Sequence, residues 1–116
     1  MSRKQKIEEA IKHEVSLIIQ KELNDPGVGF ATVTRVEASV DLKYAKIFVS
    51  VLGDKKQAEQ TFDALKRARG FIRKLLSQRL RMRFVPDISF KQDDSSEYSV
   101  RISKIIDDLK NENKQN

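Results

Sequence analysis

The spacing between apolar residues changes period along this chain, and that change limits the folds open to it. Over residues 3–23, Ile7, Ile11, Val15 and Ile18 recur every three or four positions, the signature of one buried helix face. Over residues 30–40 and 44–52 the period drops to two. In the second of these runs Ala45, Ile47, Val49 and Val51 share one side, and Tyr44, Lys46, Phe48 and Ser50 the other. Only Asp41-Leu42-Lys43 separates the two runs, so they predict an antiparallel hairpin.

The remaining segments extend the pattern. Ser2 and Gln5 fit a capping box for the first helix, and Asn24-Asp25-Pro26-Gly27 ends it. After Gly53-Asp54 a helical period resumes near Lys55, with Phe62, Leu65 and Ala68 as its stripe. Gly70 interrupts, and Ile72, Leu75, Leu76 and Leu80 take the stripe up again, which predicts a helix–kink–helix because a mid-helix Gly costs about 1 kcal/mol. Pro86 stops this unit, and residues 87–93 alternate through Ile88 and Phe90 as a third strand. Asp94-Ser95-Ser96-Glu97 fits a second capping box. A last helix should then bury Tyr98, Ile102, Ile105, Ile106 and Leu109. The order α-β-β-α-kink-α-β-α is α+β, with helices on one face of a three-stranded sheet. Residues 1–110 read as a single domain and residues 111–116 as a polar, frayed end.

Composition excludes several function classes. A chain of 116 residues is one ordinary domain, and with no Trp its core must rest on Ile, Val, Leu and six Phe. The absence of Cys removes disulfides, thiolate metal sites and cysteine nucleophiles, and favours a reducing compartment. No apolar run approaches the ~18 residues of a membrane helix, and Met1 to Ile7 has no hydrophobic signal region, so a cytoplasmic protein is expected. Catalysis has little to draw on. His13 is the only imidazole and reads as a surface helical residue. The pairs Asp93-Asp94 and Asp107-Asp108 read as a strand end with a cap and as a solvated helix face. No nucleotide-binding or nucleophile-elbow motif occurs. The expectation is a protein that is not an enzyme and needs neither cofactor nor metal.

The charge is distributed unevenly. Between residues 64 and 86 lie Lys66, Arg67, Arg69, Arg73, Lys74, Arg79, Arg81 and Arg83, with no acidic residue among them. The rest of the chain holds 15 basic and 17 acidic residues, so this stretch supplies all of the net +6. Solvated helix faces usually mix both signs, and a block of one sign points to a polyanion. On a helical wheel, Lys66, Arg67, Arg73, Lys74 and Arg81 oppose Leu65, Ala68, Ile72, Leu75 and Leu76, with Arg69 at the border. Gly70 allows close approach of a sugar-phosphate backbone, or else close packing against the sheet. A helix restarting after it would offer free N–H groups to a phosphate. Residues 79–84, if extended, would put Arg79, Arg81 and Arg83 on one side of a strand. Phe30, Tyr44 and Phe48 are able to stack on bases but read first as core residues.

These residues resemble a known family. The α-β-β-α-α-β order is similar to the type II KH architecture, with Ala68-Arg69-Gly70 at the position of the KH GxxG loop. The run Gly70-Phe71-Ile72-Arg73, then Arg79-Leu80-Arg81-Met82-Arg83 and Val85-Pro86, resembles ribosome-binding factor A. So do Asp25-Pro26 with Gly29-Phe30, the runs over residues 32–37 and 45–52, and Asp94-Ser95 with Glu97-Tyr98. The similarity spans about residues 9–106. It implies a cytoplasmic assembly factor that binds free 30S particles and 16S rRNA near the 5′ helix, aids late maturation and 5′-end processing, and matters most in the cold. A ribosome-associated GTPase is implied as a partner in release. Carried over by position, Ala68, Arg69, Gly70 and the flanking basic residues would contact RNA. The middle of the kink is often small in the family and is Arg69 here. The basic C-terminal extension of longer members has no counterpart in this sequence.

RNA-binding residues are therefore expected at Lys66, Arg67, Ala68, Arg69, Gly70, Arg73, Lys74, Arg79, Arg81 and Arg83, in a monomer with no membrane partner. About five phosphate contacts would give a log–log salt slope of roughly −3.5 to −4.5. Two other readings remain open. One is a protein–protein adaptor that uses the outer sheet face, with Tyr44 and Phe48 exposed there. The other is a general single-stranded RNA or DNA KH module.

Overall fold

A computed structural model describes residues 1–23, 25–93, 105–106 and 108–109. Five elements follow one another: α1 (Arg3–Lys21), β1 (Ala31–Ala38), β2 (Tyr44–Val51), α2 (Lys55–Leu80) and β3 (Asp87–Gln92). The sheet order is β1-β2-β3, with β1 and β2 antiparallel and β2 and β3 parallel. A parallel neighbour requires a crossover, and α2 is that crossover.

Local chemistry sets the boundaries. Ser2 Oγ accepts from Gln5 N at 3.1 Å while the Gln5 side chain accepts from Ser2 N at 2.9 Å, which is the capping box expected from sequence. Asp54 and Gln57 form a second box at the start of α2. In the hairpin turn, Asp41 accepts from Ser39 Oγ and Lys43 N, and Leu42 takes a left-handed φ of 60°. The β1–β2 register shifts between Val33 and Arg35, so Thr34 is displaced and its hydroxyl donates to the buried Asp93 carboxylate. Asp93 thus closes the end of β3 as a sequence reading of strand end suggests.

Both helices cover the same sheet face. Ile11, Val15 and Ile18 of α1 meet Val33, Val36, Ile47, Val49 and Ile88 of the sheet and Leu65, Ile72 and Leu76 of α2 in one apolar cluster. Phenylalanine contributes less than its number suggests. Only Phe90 is buried, while Phe48 and Phe62 are half-buried and Phe30, Phe71 and Phe84 are exposed. The core is aliphatic because β-branched residues occupy the inward positions of the strands, whereas most phenylalanines fall in loops or on outer faces.

Two expectations change. The helix–kink–helix is one unbroken helix of 26 residues. Leu65, Ile72 and Leu76 are fully buried on both sides of Gly70 at spacings of seven and four, so they share one face of a continuous helix. Burying each contributes roughly 1.5–3 kcal/mol, which outweighs the ~1 kcal/mol cost of the glycine. The extended run through residues 79–84 is also absent. Arg79 and Leu80 remain helical, and Arg81 ends the helix with a left-handed φ of 51°.

The second capping box, Tyr98, Ile102 and the end at 111–116 lie outside the described residues. Of the last helix, residues 105, 106, 108 and 109 are helical. Ile105 and Leu109 are exposed and Ile106 is half-buried, so the buried side expected there is not formed by these residues.

Candidate nucleic-acid interface

The ten residues singled out on α2 and after it do not form one set. Three arginines are engaged by other parts of the fold. Arg73 turns along α2 to donate from Nε to Pro86 O at 3.2 Å and from Nη2 to Val85 O at 3.0 Å, fixing the chain that leads into β3. Arg79 reaches across to α1, with Nη2 3.0 Å from Glu22 Oε1 and Nη1 3.4 Å from Glu14 Oε2. Arg67 sits 3.0 Å from Asp25 Oδ2. Asp25 also accepts from Gly27 N at 2.8 Å, and that hydrogen bond, followed by Arg67, holds its carboxyl below the usual range. Thr61 completes this clamp by donating to Gly27 O and accepting from Gly29 N.

The other cations point away from the core. Lys66, Arg69, Lys74 and Arg81 are exposed and have no hydrogen-bond or ion-pair partner among the described residues. Arg83 lies over the Phe84 ring at 5.6 Å, which leaves its charge open to solvent. Ala68 turns inward and packs against the core, so its methyl is not at this surface.

Helix geometry arranges these groups. Lys66, Gly70, Lys74, Ser77 and Arg81 follow one another at steps of three or four residues, a single stripe along α2. A groove of about 400 Å³ runs beside the stripe, between Gly70, Lys74 and Ser77 of the helix and Arg83, Phe84 and Val85 of the following loop. A Cβ built on Gly70 would meet nothing within 4 Å. Packing therefore does not require the glycine, and of the two roles open to it, close backbone approach is the one the geometry permits. The second role assigned to this region fails. Because α2 does not restart after Gly70, the N–H groups that follow it are spent within the helix.

Sequence reasoning missed Ser77, Phe84 and Val85 as groove residues. Ser77 was within reach of it, lying seven positions after Gly70 and between Lys74 and Arg81. Placing Phe84 and Val85 depends on the left-handed turn at Arg81, which has no sequence signal in an arginine. The sequence also gave no partner for Arg67, Arg73 or Arg79, since each bonds a residue 12 to 65 positions away.

The stacking candidates divide as well. Phe30 and Tyr44 are exposed rather than core residues, because one lies before β1 and the other on the outer sheet face. Phe48 is half-buried, and Arg35 covers its ring at 3.9 Å. His13 is exposed on α1. Among the described residues, no three His, Asp or Glu side chains gather as metal ligands, and no helix is long and apolar enough to cross a membrane.

Comparison with known proteins gives a consistent result. Residues 3–106 match the family model described as ribosome-binding factor A. A ribosome-binding factor A from Desulfitobacterium hafniense is 46% identical over 110 residues, covering 95% of this chain and 88% of that protein. The crystal structure of the factor from Thermus thermophilus aligns with a TM-score of 0.72 at 29% identity, over 80% of this chain and 98% of the other. A homology model of the Thermus thermophilus factor, fitted into the cryo-EM map of its complex with the 30S subunit, aligns at 0.66 and 29% identity, over 78% and 94%.

Proposed function

The chain belongs to the ribosome-binding factor A family, and from that premise we propose that it binds the free small ribosomal subunit through phosphates of 16S rRNA. The observation that carries this reading is the stripe of cations along α2 that have no partner among the described residues, broken by a glycine whose surroundings are open. Phosphate contacts position a protein but read no sequence, so recognition rests on rRNA shape and on neighbouring ribosomal proteins. The complex in which the Thermus thermophilus relative has been fitted supports the choice of partner.

Within this reading the protein acts without catalysis, as a monomer in the cytoplasm, during late maturation near the 5′ helix of 16S rRNA. It aids 5′-end processing, matters most in the cold, and leaves with the help of a ribosome-associated GTPase. The RNA contacts fall to Lys66, Arg69, Lys74, Arg81 and Arg83, with Gly70 allowing the strand close to the helix. Arg67, Arg73 and Arg79 support that surface from behind.

Co-sedimentation with 30S, 50S and 70S particles across a salt series tests the proposal. Selective migration with free 30S is expected, with a log–log salt slope of roughly −3.5 to −4.5 for about five phosphates. Absence from 30S at low salt, with the protein folded, would refute it.

A further inference from the structure

A second cavity lies on the far side of the loop that walls the cationic groove. Its volume is about 760 Å³, within the ~300–1,000 Å³ usual for small-molecule pockets. It is lined by the start of α1, the β1–β2 turn, Arg73 of α2, residues 82–85 and Asp87, and it opens to solvent. Arg83, Phe84 and Val85 line both this cavity and the groove beside Gly70, so one loop separates the two. Two aromatic rings stand at it, Tyr44 at 62% and Phe84 at 78% exposure, and folding alone gives no reason to leave them in water.

The walls are built to stay in place. The backbone at Tyr44 is fixed by two hydrogen bonds with Ser39, one from Tyr44 N to Ser39 Oγ at 3.0 Å and one from Ser39 N to Tyr44 O at 2.8 Å. The 82–85 loop is held by Arg73 through Val85 O and Pro86 O. The charges around the cavity oppose one another. Arg3, Lys43, Arg73 and Arg83 line it together with Asp41 and Asp87, so cations and carboxylates alternate around its wall. Mixed charge beside two aromatic rings suits an uncharged flat group whose attached phosphate meets the cations.

We propose that this cavity receives one unstacked nucleobase of single-stranded RNA, seated against Phe84 and Tyr44, while the adjoining phosphates lie on Arg83 and the α2 stripe. The inference rests on the RNA reading above and extends it from phosphate positioning to contact with a base. The shared loop supplies the continuity, since a strand lying in the first groove needs only to cross residues 83–85 to present a base to the second. Stacking on aromatic rings accepts every base, so the site adds affinity with little sequence preference.

The test uses the full chain and a uridine-rich oligoribonucleotide of about 12 residues that carries one 2-aminopurine, whose fluorescence falls on stacking. At low salt the wild-type protein should bind it and quench the probe. Phe84→Ala and Tyr44→Ala should each weaken binding by roughly five- to 150-fold, the range for loss of one base–aromatic stack, and should reduce the quenching. Their salt slopes should stay at the wild-type value because the phosphate contacts remain. Phe84→Trp should keep both affinity and quenching. Both rings are solvent-facing, and an unchanged thermal unfolding midpoint confirms that the variants are folded.

Lys66→Glu with Lys74→Glu separates the two readings, since it should lower the salt slope for this RNA and for 30S particles. If that variant loses binding while Phe84→Ala and Tyr44→Ala bind and quench as wild type, the base site is refuted and the phosphate reading stands. If the wild type ignores the oligonucleotide at low salt, the base site is also refuted, and co-sedimentation with 30S decides the wider reading alone. If Phe84→Ala impairs only 30S binding, the cavity holds a protein segment and not a base.

Discussion

Arg67, Arg73 and Arg79 lie on the same helix as Lys66, Arg69 and Lys74, yet the two sets have opposite uses. The arginines of the first set each end on a carboxylate or a pair of carbonyls supplied by another element. The second set ends in solvent. Guanidinium chemistry explains part of the division. Its planar fork bonds two acceptors at fixed angles, as Arg73 does with Val85 and Pro86 and as Arg79 does with Glu14 and Glu22. Lysine offers a compact charge on a flexible stem, suited to a phosphate that is not yet in place. A block of eight cations is therefore about three parts scaffold and five parts surface, and the two parts fail in different ways when mutated.

The largest expected effect comes from the outward set. Lys66→Glu, Arg69→Glu and Lys74→Glu together should weaken 30S binding about 100-fold or more and reduce the salt slope to roughly −1.4 to −1.8, the value for two remaining contacts. Unfolding should be unchanged, because none of the three bonds another described residue. A loss of stability equal to the loss of binding would erase the distinction between the sets.

Arg73→Ala should behave in the reverse manner. It removes two charge-assisted hydrogen bonds to carbonyls at the entrance to β3, and a loss of about 1.5–3 kcal/mol in denaturant unfolding is expected. Arg73→Lys should recover only part of this, since an ammonium cannot reproduce the fork. If Arg73→Ala leaves stability intact and abolishes RNA binding, Arg73 belongs with the outward set.

This division shows where the sequence is readable. The strands, the hairpin, the capping box at Ser2 and the apolar stripe of α2 follow from local spacing, and all are present; the box at Asp54 and Gln57 was equally local but went unread. The continuity of α2 through Gly70 was not legible, because it is decided by Leu65, Ile72 and Leu76 finding one common core, a tertiary effect that overrides local propensity. The basic block was legible as a concentration of one sign of charge on α2 and the loop after it. Its internal sorting was not, since a guanidinium's partner depends on which residues the fold brings beside it. The end of α2 misled for a related reason. The alternation over residues 79–84 is also compatible with a helix end followed by a turn, and the left-handed Arg81 chooses between them.

Gly70→Ala sharpens the comparison at a single atom. A methyl there meets nothing within 4 Å and replaces a poor helix former, so stability should rise by up to about 1 kcal/mol. Affinity for 30S should nevertheless fall by a few-fold if the proposed RNA contact is made there, because the methyl would stand on the stripe between Lys66 and Lys74. Stabilisation without loss of binding would show that the open backbone has no part in the interface, and the cations would then act from side chains alone.

The smallest effect tests the scaffold set through pH. Asp25 has its carboxyl pulled below the usual carboxylate value, first by the Gly27 N–H and second by Arg67. A carboxyl whose folded pKa is depressed adds stability above its unfolded pKa and loses it as pH falls through the folded value. The stability difference between wild type and Asp25→Asn should therefore stay constant from neutral pH to about pH 4 and shrink only below that. Arg67→Met should raise the Asp25 pKa only part of the way, as followed by NMR titration of its carboxyl, because the first cause is the turn and not the ion pair. A complete return to the unfolded value would instead make Arg67 the dominant holder of the 25–29 loop. The arginine would then have to leave that loop before it could reach a phosphate, which would place it firmly with the scaffold.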